Sequence, residues 1–315
     1  MDRKILIAVS SCLLGNNVRF NGANSHKKLI TEELSQLFEY HAICPELYAG
    51  LGVPREPIFF EKNAQEIILK QHKTDQNLTQ TLAQSSNDLI EKLPKVYGFI
   101  LKKSSPSCGH KSVKVYNKEH RVIHNKADGL FVQVLKQKLP LLPVEDEGRL
   151  NDACLKEHFI KRVLLTYQAS ELLLSCQSTS DLIDFHTKHK MLLRLHHPVN
   201  QKALGRLVAR IDKDNFNQIV KQYYQLFLSS FIKVAKNGNH YTILQRILRE
   251  INKLISKNER DNLQRTIKAY HQGVLPLIVP IELIKHYLVR YDIEFLKQQS
   301  YLFLYPESMS LMSKI

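Results

Sequence analysis

The stretch VYGFILKKSSPSCGHKS (96–112) decides the fold. Residues 96–101 form an apolar run of strand formers. It breaks at once into Lys102 and Lys103, then into a turn of serine, proline and glycine around Cys108. A short apolar run closed by a polar turn reads as a buried strand that opens at its C-terminal end. The same grammar recurs in KILIAV (4–9), which runs into Ser10, Ser11 and Cys12. It recurs again in HAIC (41–44), which stops at Pro45, and in LPLLPVE (139–145). Residues 34–40 and 74–93 carry helical spacing between these strands. Strand and helix in alternation predict an α/β domain, a mostly parallel sheet covered by helices.

From Asn151 the period changes. Apolar residues recur every three or four positions over 153–175, 180–196, 201–211, 213–236, 240–256, 258–270 and 280–297, which predicts an all-α second part. Thr179 and Ser180 offer an N-cap before DLIDF. The expected division is a catalytic domain over 1–150, a connecting helix over 151–178 and a basic helical domain over 179–315. No internal repeat or low-complexity tract interrupts it.

The 315 residues are 43% apolar, enough for a sizeable core and about two domains. The N-terminus lacks a secretory pattern, and no apolar run approaches the roughly 18 residues of a membrane span. A cytoplasmic protein with no membrane partner is the expectation, and no obligate protein partner is implied. The net charge is +15. Residues 1–150 hold 21 Lys and Arg against 16 Asp and Glu, and residues 151–315 hold 24 against 14. The helical half is the more basic, and a polyanion such as nucleic acid is its natural partner.

Five cysteines, Cys12, Cys44, Cys108, Cys154 and Cys176, are too few and too scattered for a disulfide framework. Cys12, Cys44 and Cys108 follow predicted strands, and parallel strands present their C-terminal ends on one edge, where open α/β folds bind ligands. Each sits beside a turn former, Gly15, Pro45 or Gly109, whose turn exposes backbone N–H groups. Three thiolates suit a soft metal centre. Zinc favours compact CxxC pairs, and none is present. An iron–sulfur cluster accepts scattered ligands, and three cysteines would leave one iron without a protein thiolate. Any one of these cysteines also reads as a small buried apolar residue. Cys154 and Cys176 fall in helical pattern and read that way.

At these residues the sequence resembles the thiouracil desulfidase (TudS-like) family: SSCLLGNNVRFNG (10–22), CPELYAGLGVPREP (44–57) and KKSSPSCGHKSVKVY (102–116) carry the likeness. PVEDEGRLND (143–152), FHTKHKMLL (185–193), LGRLVA (204–209), GVLPLIVPIELIKHYL (273–288) and QSYLFLYP (299–306) resemble the helical domain fused to some members. That two-domain form is similar to bacterial desulfidases that return 4-thiouridine in tRNA to uridine. The resemblance implies a 4Fe-4S cluster held by Cys12, Cys44 and Cys108 with one iron not ligated by protein. It implies a catalytic carboxylate at Glu46, a catalytic serine at Ser105, and thiolated tRNA as substrate. Two departures stand out: the family often has proline where this chain has Cys154, and HYTILQRILREINK (240–253) differs from the usual helical pattern.

Taken without the resemblance, Glu46 also reads as a carboxylate in the first turn of a helix after Pro45. Ser104, Ser105 and Ser107 also read as turn formers. Two readings compete with tRNA desulfuration: a desulfidase of free thiopyrimidines or thionucleotides, and a non-catalytic iron–sulfur protein that binds nucleic acid. For RNA contacts, Arg19, Lys102, Lys103, Lys111 and Lys114 flank the cysteine loops. His186, Lys190 and Arg194 recur every four residues, as do Lys202, Arg206 and Arg210, so each trio lines one helix face. Tyr223, Tyr224 and Tyr270 could stack on bases, with packing in the core as the plainer role.

Overall fold

The computed structural model of the chain describes residues 4–63 and 66–305. The chain divides after Asp152 into two compact units.

The first unit is built on two four-stranded sheets. Its elements in order are β1 (Ile5–Ser10), β2 (Phe38–Ile43), α1 (Pro45–Tyr48), β3 (Ile58–Lys62), β4 (Ile67–Gln71), α2 (Thr79–Lys92), β5 (Phe99–Leu101), β6 (Val113–Tyr116), β7 (Val122–Ala127), α3 (Leu130–Lys138) and β8 (Val144–Asp146). One sheet has the order β2-β1-β5-β8 and is parallel throughout. Ile7, Ala8 and Val9 of its inner strand β1 are wholly buried, as a strand covered on both faces must be. Helices α2 and α3 pack on each other. Leu89, Ile90, Phe131, Val132 and Leu135 from them join Ala8, Phe99 and Leu101 in one apolar core. Cys108 belongs to the same core.

Sequence reasoning did not find the second sheet. Its order is β4-β3-β6-β7: two antiparallel hairpins joined by a parallel β3–β6 pair. Residues 34–40, expected as helix, form only a 3₁₀ turn at Leu34–Gln36 before β2 begins at Phe38. There the ladder to β1 wins: Phe38 pairs with Ile5 and is buried, so the local helical spacing yields to the sheet.

The second unit is helical: α4 (Ala153–Ser175), α5 (Thr179–His196), α6 (Pro198–Val208), α7 (Phe216–Ser229), α8 (Asn237–Ile251), α9 (Lys257–His271), α10 (Ile278–Arg290), α11 (Glu294–Lys297) and α12 (Ser300–Phe303). Helix α4 lies in this unit and packs against α7. Ser178 and Ser256 close capping boxes with Asp181 and Glu259, which fixes where α5 and α9 start. Phe185, Phe227 and Phe231 form an edge-to-face aromatic chain through the core, with centroids 5.0 Å apart at each step. Among the described residues, no helix is long and apolar enough to cross a membrane.

Candidate active site

The C-terminal edge of the parallel sheet carries the site. Strand β1 ends at Ser10, and the 3₁₀ turn Ser11–Leu14 brings Cys12 round. Gly15 closes that turn at φ 97°, a conformation that favours glycine. Strand β2 ends at Ile43, and Cys44 follows as the N-cap of α1, with Pro45 at the first helical position. Strand β5 ends at Leu101, and the loop over residues 102–112 carries Cys108 back over the edge. The start of α3 clamps this loop: Leu130 N–H donates to Pro106 O at 2.9 Å and Phe131 N–H to Ser107 O at 3.0 Å. Gly129 makes the close approach possible, because a Cβ there would strike the Ser107 carbonyl.

Cys12, Cys44 and Cys108 line one cavity of about 390 Å³, together with Glu46, Ser105, Ser107, Arg55, Arg19 and Phe20. The three strand ends therefore converge as the topology requires. Burial pushes the Cys12 thiol up to about 11, with Cys44 adding to the shift. Burial also raises Cys44, against the pull of the Leu47 amide. Cys108 is raised furthest, by burial first and the Glu46 charge second. Thiols raised in this way hold their protons at neutral pH, and binding a soft cation would release them. Among the described residues, no group of three or more His, Cys, Asp or Glu side chains is disposed to hold a single metal ion. Three thiols lining one cavity are the donor type that an iron–sulfur cluster takes.

Glu46 is held from both sides. Arg55 Nε donates to Oε2 at 2.7 Å and Nη2 lies 2.5 Å from the same oxygen. The two side chains are 4% and 13% exposed, so this is a buried pair. Arg55 is itself anchored on Gly52 O at 2.8 Å and Val18 O at 3.0 Å. On the other oxygen, Ser107 Oγ donates to Oε1 at 2.6 Å and Ser105 Oγ approaches it at 3.3 Å. The two hydroxyls are 2.9 Å apart. Ser105 Oγ also accepts the amides of Ser107 and Cys108, at 3.3 and 3.2 Å. The result is a short hydroxyl chain ending on a carboxylate beside the thiols, able to accept, hold and pass a proton.

The expected residues fall in different places. Glu46 and Ser105 meet in the cavity, but Ser107, read from sequence as a turn former, is closer to the carboxylate. Arg55 was missed altogether. Lys102 Nζ is engaged by Glu147 at 2.5 Å, and the Lys103 amide donates to the other oxygen of Glu147. Lys102 is therefore a strut between β5 and the end of β8. Lys103 is exposed on the cavity rim, and the Arg19 guanidinium lies 5.6 Å from the Phe20 ring there. Lys111 and Lys114 are exposed and outside the cavity lining.

In the helical unit, Lys190 and Arg194 on α5 are exposed, as are Lys202 and Arg206 on α6 and Arg210 just past its end. Helices α5 and α6 pack against each other. His186 does not extend the basic stripe. It is buried, its Nδ1 lies 3.1 Å from Tyr223 Oη, and burial lowers it to about 4. Tyr223 and Tyr270 are buried in the core rather than available for stacking, and Tyr224 is half-buried. Cys154 is exposed and Cys176 half-buried, both outside the cavity of the other three thiols.

Comparison with known proteins follows the division of the chain. A family model described as 2-thiouracil desulfurase matches residues 7–147. A second, described as a protein of unknown function (DUF1722), matches residues 190–306. The uncharacterized protein YbgA of Escherichia coli K12 is 29% identical over 131 residues, covering 41% of this chain and 78% of its own. The solved structure of the 4Fe-4S-dependent thiouracil desulfidase TudS is similar over 49% of this chain and 97% of its own, at 24% identity and a TM-score of 0.36. The uncharacterized protein YbbK of Bacillus subtilis 168 is 30% identical over 156 residues, 47% of this chain and 99% of its own length. With the cysteine edge and the Glu46 chain inside the matched region, the chain belongs to the 2-thiouracil desulfurase family.

Proposed function

We propose that the chain is an iron–sulfur desulfidase that converts 4-thiouridine in tRNA to uridine and hydrosulfide. The observation that carries this is the placing of three thiols and the Glu46–Ser107–Ser105 chain around one cavity. Cys12, Cys44 and Cys108 would hold a 4Fe-4S cluster. When bound through three thiolates, such a cluster has one iron free to act as a Lewis acid toward a soft thiocarbonyl sulfur.

The chain's own residues do the rest. Glu46 Oε1 is the proton acceptor for the water that adds to the ring carbon, and Arg55 fixes the other oxygen so that Oε1 keeps its aim. Ser107 and Ser105 pass the proton on, toward the departing sulfur. Water supplies the new carbonyl oxygen, the carbon–sulfur bond breaks, and no net electron transfer is needed. Phe20 and Arg19 at the rim suit a ring and a phosphate respectively. The exposed cations of α5 and α6 suit a polyanion: about four engaged phosphates give a log–log salt slope near −3.

The test is anaerobic. The cluster is reconstituted, thiolated tRNA or free 4-thiouracil is added, and sulfide release is followed with loss of the thiocarbonyl absorbance. Faster turnover of tRNA is the expected result. Turnover of the free base alone would transfer the activity to free thiopyrimidines, and absence of sulfide from either would end the desulfidase reading.

A further inference from the structure

We infer that the first unit carries a docking surface for an RNA strand: a base-stacking platform on the outer face of the second sheet, beside the thiol cavity. The inference rests on the tRNA reading above and names the part of the chain that holds the nucleotides next to the reacting one.

Strand alternation sets the platform. Ile58, Phe60, Leu69, Val113 and Val115 turn inward and share one apolar core. Phe59 and Tyr116 are each one residue from a core position, so they face the other way, and both are half-buried. Phe59 is the hub, with ring centroids 5.9 Å from His72, 6.1 Å from Tyr116 and 5.7 Å from His120. The two imidazoles are 6.3 Å apart and within 25° of parallel. Both histidines are exposed, and neither imidazole nor the Tyr116 hydroxyl makes a hydrogen bond with a described residue. Four rings gathered at the surface leave π-faces for a flat ligand.

The hairpin turn builds this arrangement against backbone preference. His120 sits at φ 57°, in the left-handed region. Asn117 fixes the turn: its N–H donates to Arg121 O at 2.9 Å, its carbonyl accepts the His120 N–H at 3.0 Å, and its side chain accepts the Arg121 N–H at 2.8 Å. A position that glycine would fill without strain instead holds an imidazole against Phe59.

Charge selects the ligand. The β6–β7 hairpin presents Lys114, Lys118, Arg121 and Lys126, all exposed and none in an ion pair with a described residue. Glu119 is the acidic residue of this hairpin, and Asn117 Nδ2 donates to it. Glu61, on the face of Phe59, is buried and paired with Lys70 at 3.0 Å. Unpaired cations around flat rings match phosphates and bases together. An acidic peptide would engage the cations and leave the rings idle. Position agrees: Pro57 and Ile58 line the thiol cavity, and the His72 N–H donates to Pro57 O at 3.0 Å. The platform starts where the cavity ends, so a strand that sends one base to the thiols lays a neighbour across Phe59.

The test is fluorescence anisotropy with the full chain and an unthiolated single-stranded oligoribonucleotide, which needs no sulfur chemistry. His120→Gly removes a ring and eases the backbone, so the fold is kept. Together with His72→Ser it lowers RNA affinity by at least about fivefold, with the salt dependence unchanged. Lys118→Gln and Arg121→Gln instead flatten the log–log salt slope by about 0.7 each. Inorganic polyphosphate, a polyanion without bases, binds the double histidine variant as tightly as wild type. No RNA binding by wild type, or wild-type affinity in the double histidine variant, overturns the proposal. Equal loss for RNA and polyphosphate overturns it too, by reducing the surface to plain charge. The expected RNA pattern without sulfide release from thiolated tRNA would end the desulfidase reading and leave the platform standing.

Discussion

Arg55 grips a single oxygen of Glu46: Nε and Nη2 both close on Oε2, at 2.7 and 2.5 Å, which leaves Oε1 to the serines. The guanidinium divides the carboxylate into an anchored atom and a working atom. Because both side chains are largely out of water, removing one partner strands the other. Arg55→Met should destabilise the first unit by about 3–5 kcal/mol, read by denaturant unfolding. Adding Glu46→Gln to Arg55→Met should recover most of that loss while turnover stays absent. If Arg55→Met unfolds at the wild-type midpoint, the pair is not the buried anchor described here.

Glu46→Gln by itself keeps the shape of the side chain and removes the proton acceptor. Desulfuration should fall by about 10²–10⁴-fold, with the iron–sulfur absorbance of the reconstituted protein retained. Ser107→Ala should cost more than Ser105→Ala, because its hydroxyl lies 2.6 Å from Oε1 against 3.3 Å. The reverse order would make Ser105 the direct relay and Ser107 its support.

Alanine at Cys12, Cys44 or Cys108 should abolish iron–sulfur absorbance and turnover together. Alanine at Cys154 or Cys176 should spare both, since neither lines that cavity. An absorbance lost on changing Cys154 or Cys176 would mean that the cluster sits elsewhere.

How far the sequence reached depends on what each residue does. The strand ends at Ser10, Ile43 and Leu101 were legible because each apolar run stops in a turn former. The second sheet was not: β7 is almost entirely exposed, so it has no apolar period to detect. Arg55 is nine residues from Glu46 in an irregular loop, and only the fold brings the two together. Ser107 carried no signal beyond that of a turn serine. His186 shared a four-residue spacing with Lys190 and Arg194, but the spacing cannot tell a solvated face from one closed by Tyr223.

Gly129 offers a structural check that does not depend on chemistry. A methyl group there would push the Ser107 carbonyl off the start of α3. Gly129→Ala should destabilise by about 1–3 kcal/mol and disturb the Cys108 loop, seen as weaker iron loading. Unchanged stability and loading would show that the loop yields freely.

The helical unit has its own acid response. Burial, assisted by Lys188, Lys190 and Lys161 in turn, holds His189 at about 3, His186 at about 4 and His240 at about 3. In the unfolded chain they titrate near ~6.5. Between those values the unfolded state binds more protons, so stability is full above about pH 6.5 and is lost as pH falls toward 4. Denaturant midpoints at pH 7.5, 6 and 5 should decline in order, and His189→Gln should flatten the decline. A midpoint that holds constant from 7.5 to 5 would contradict it.

Cys108 has two occupations, one in the cavity wall and one in the apolar cluster with Phe99 and Phe131. Serine in its place would shorten the reach to the Ser107 hydroxyl that the thiol now accepts at 3.6 Å, and alanine would leave a hole. Cys44 is half-buried and carries no such double duty. An engineer who wishes to refit this pocket for another guest should therefore recut the wall at Cys44 and leave the Cys108 side alone, since there every adjustment of fit is also an adjustment of the foundation.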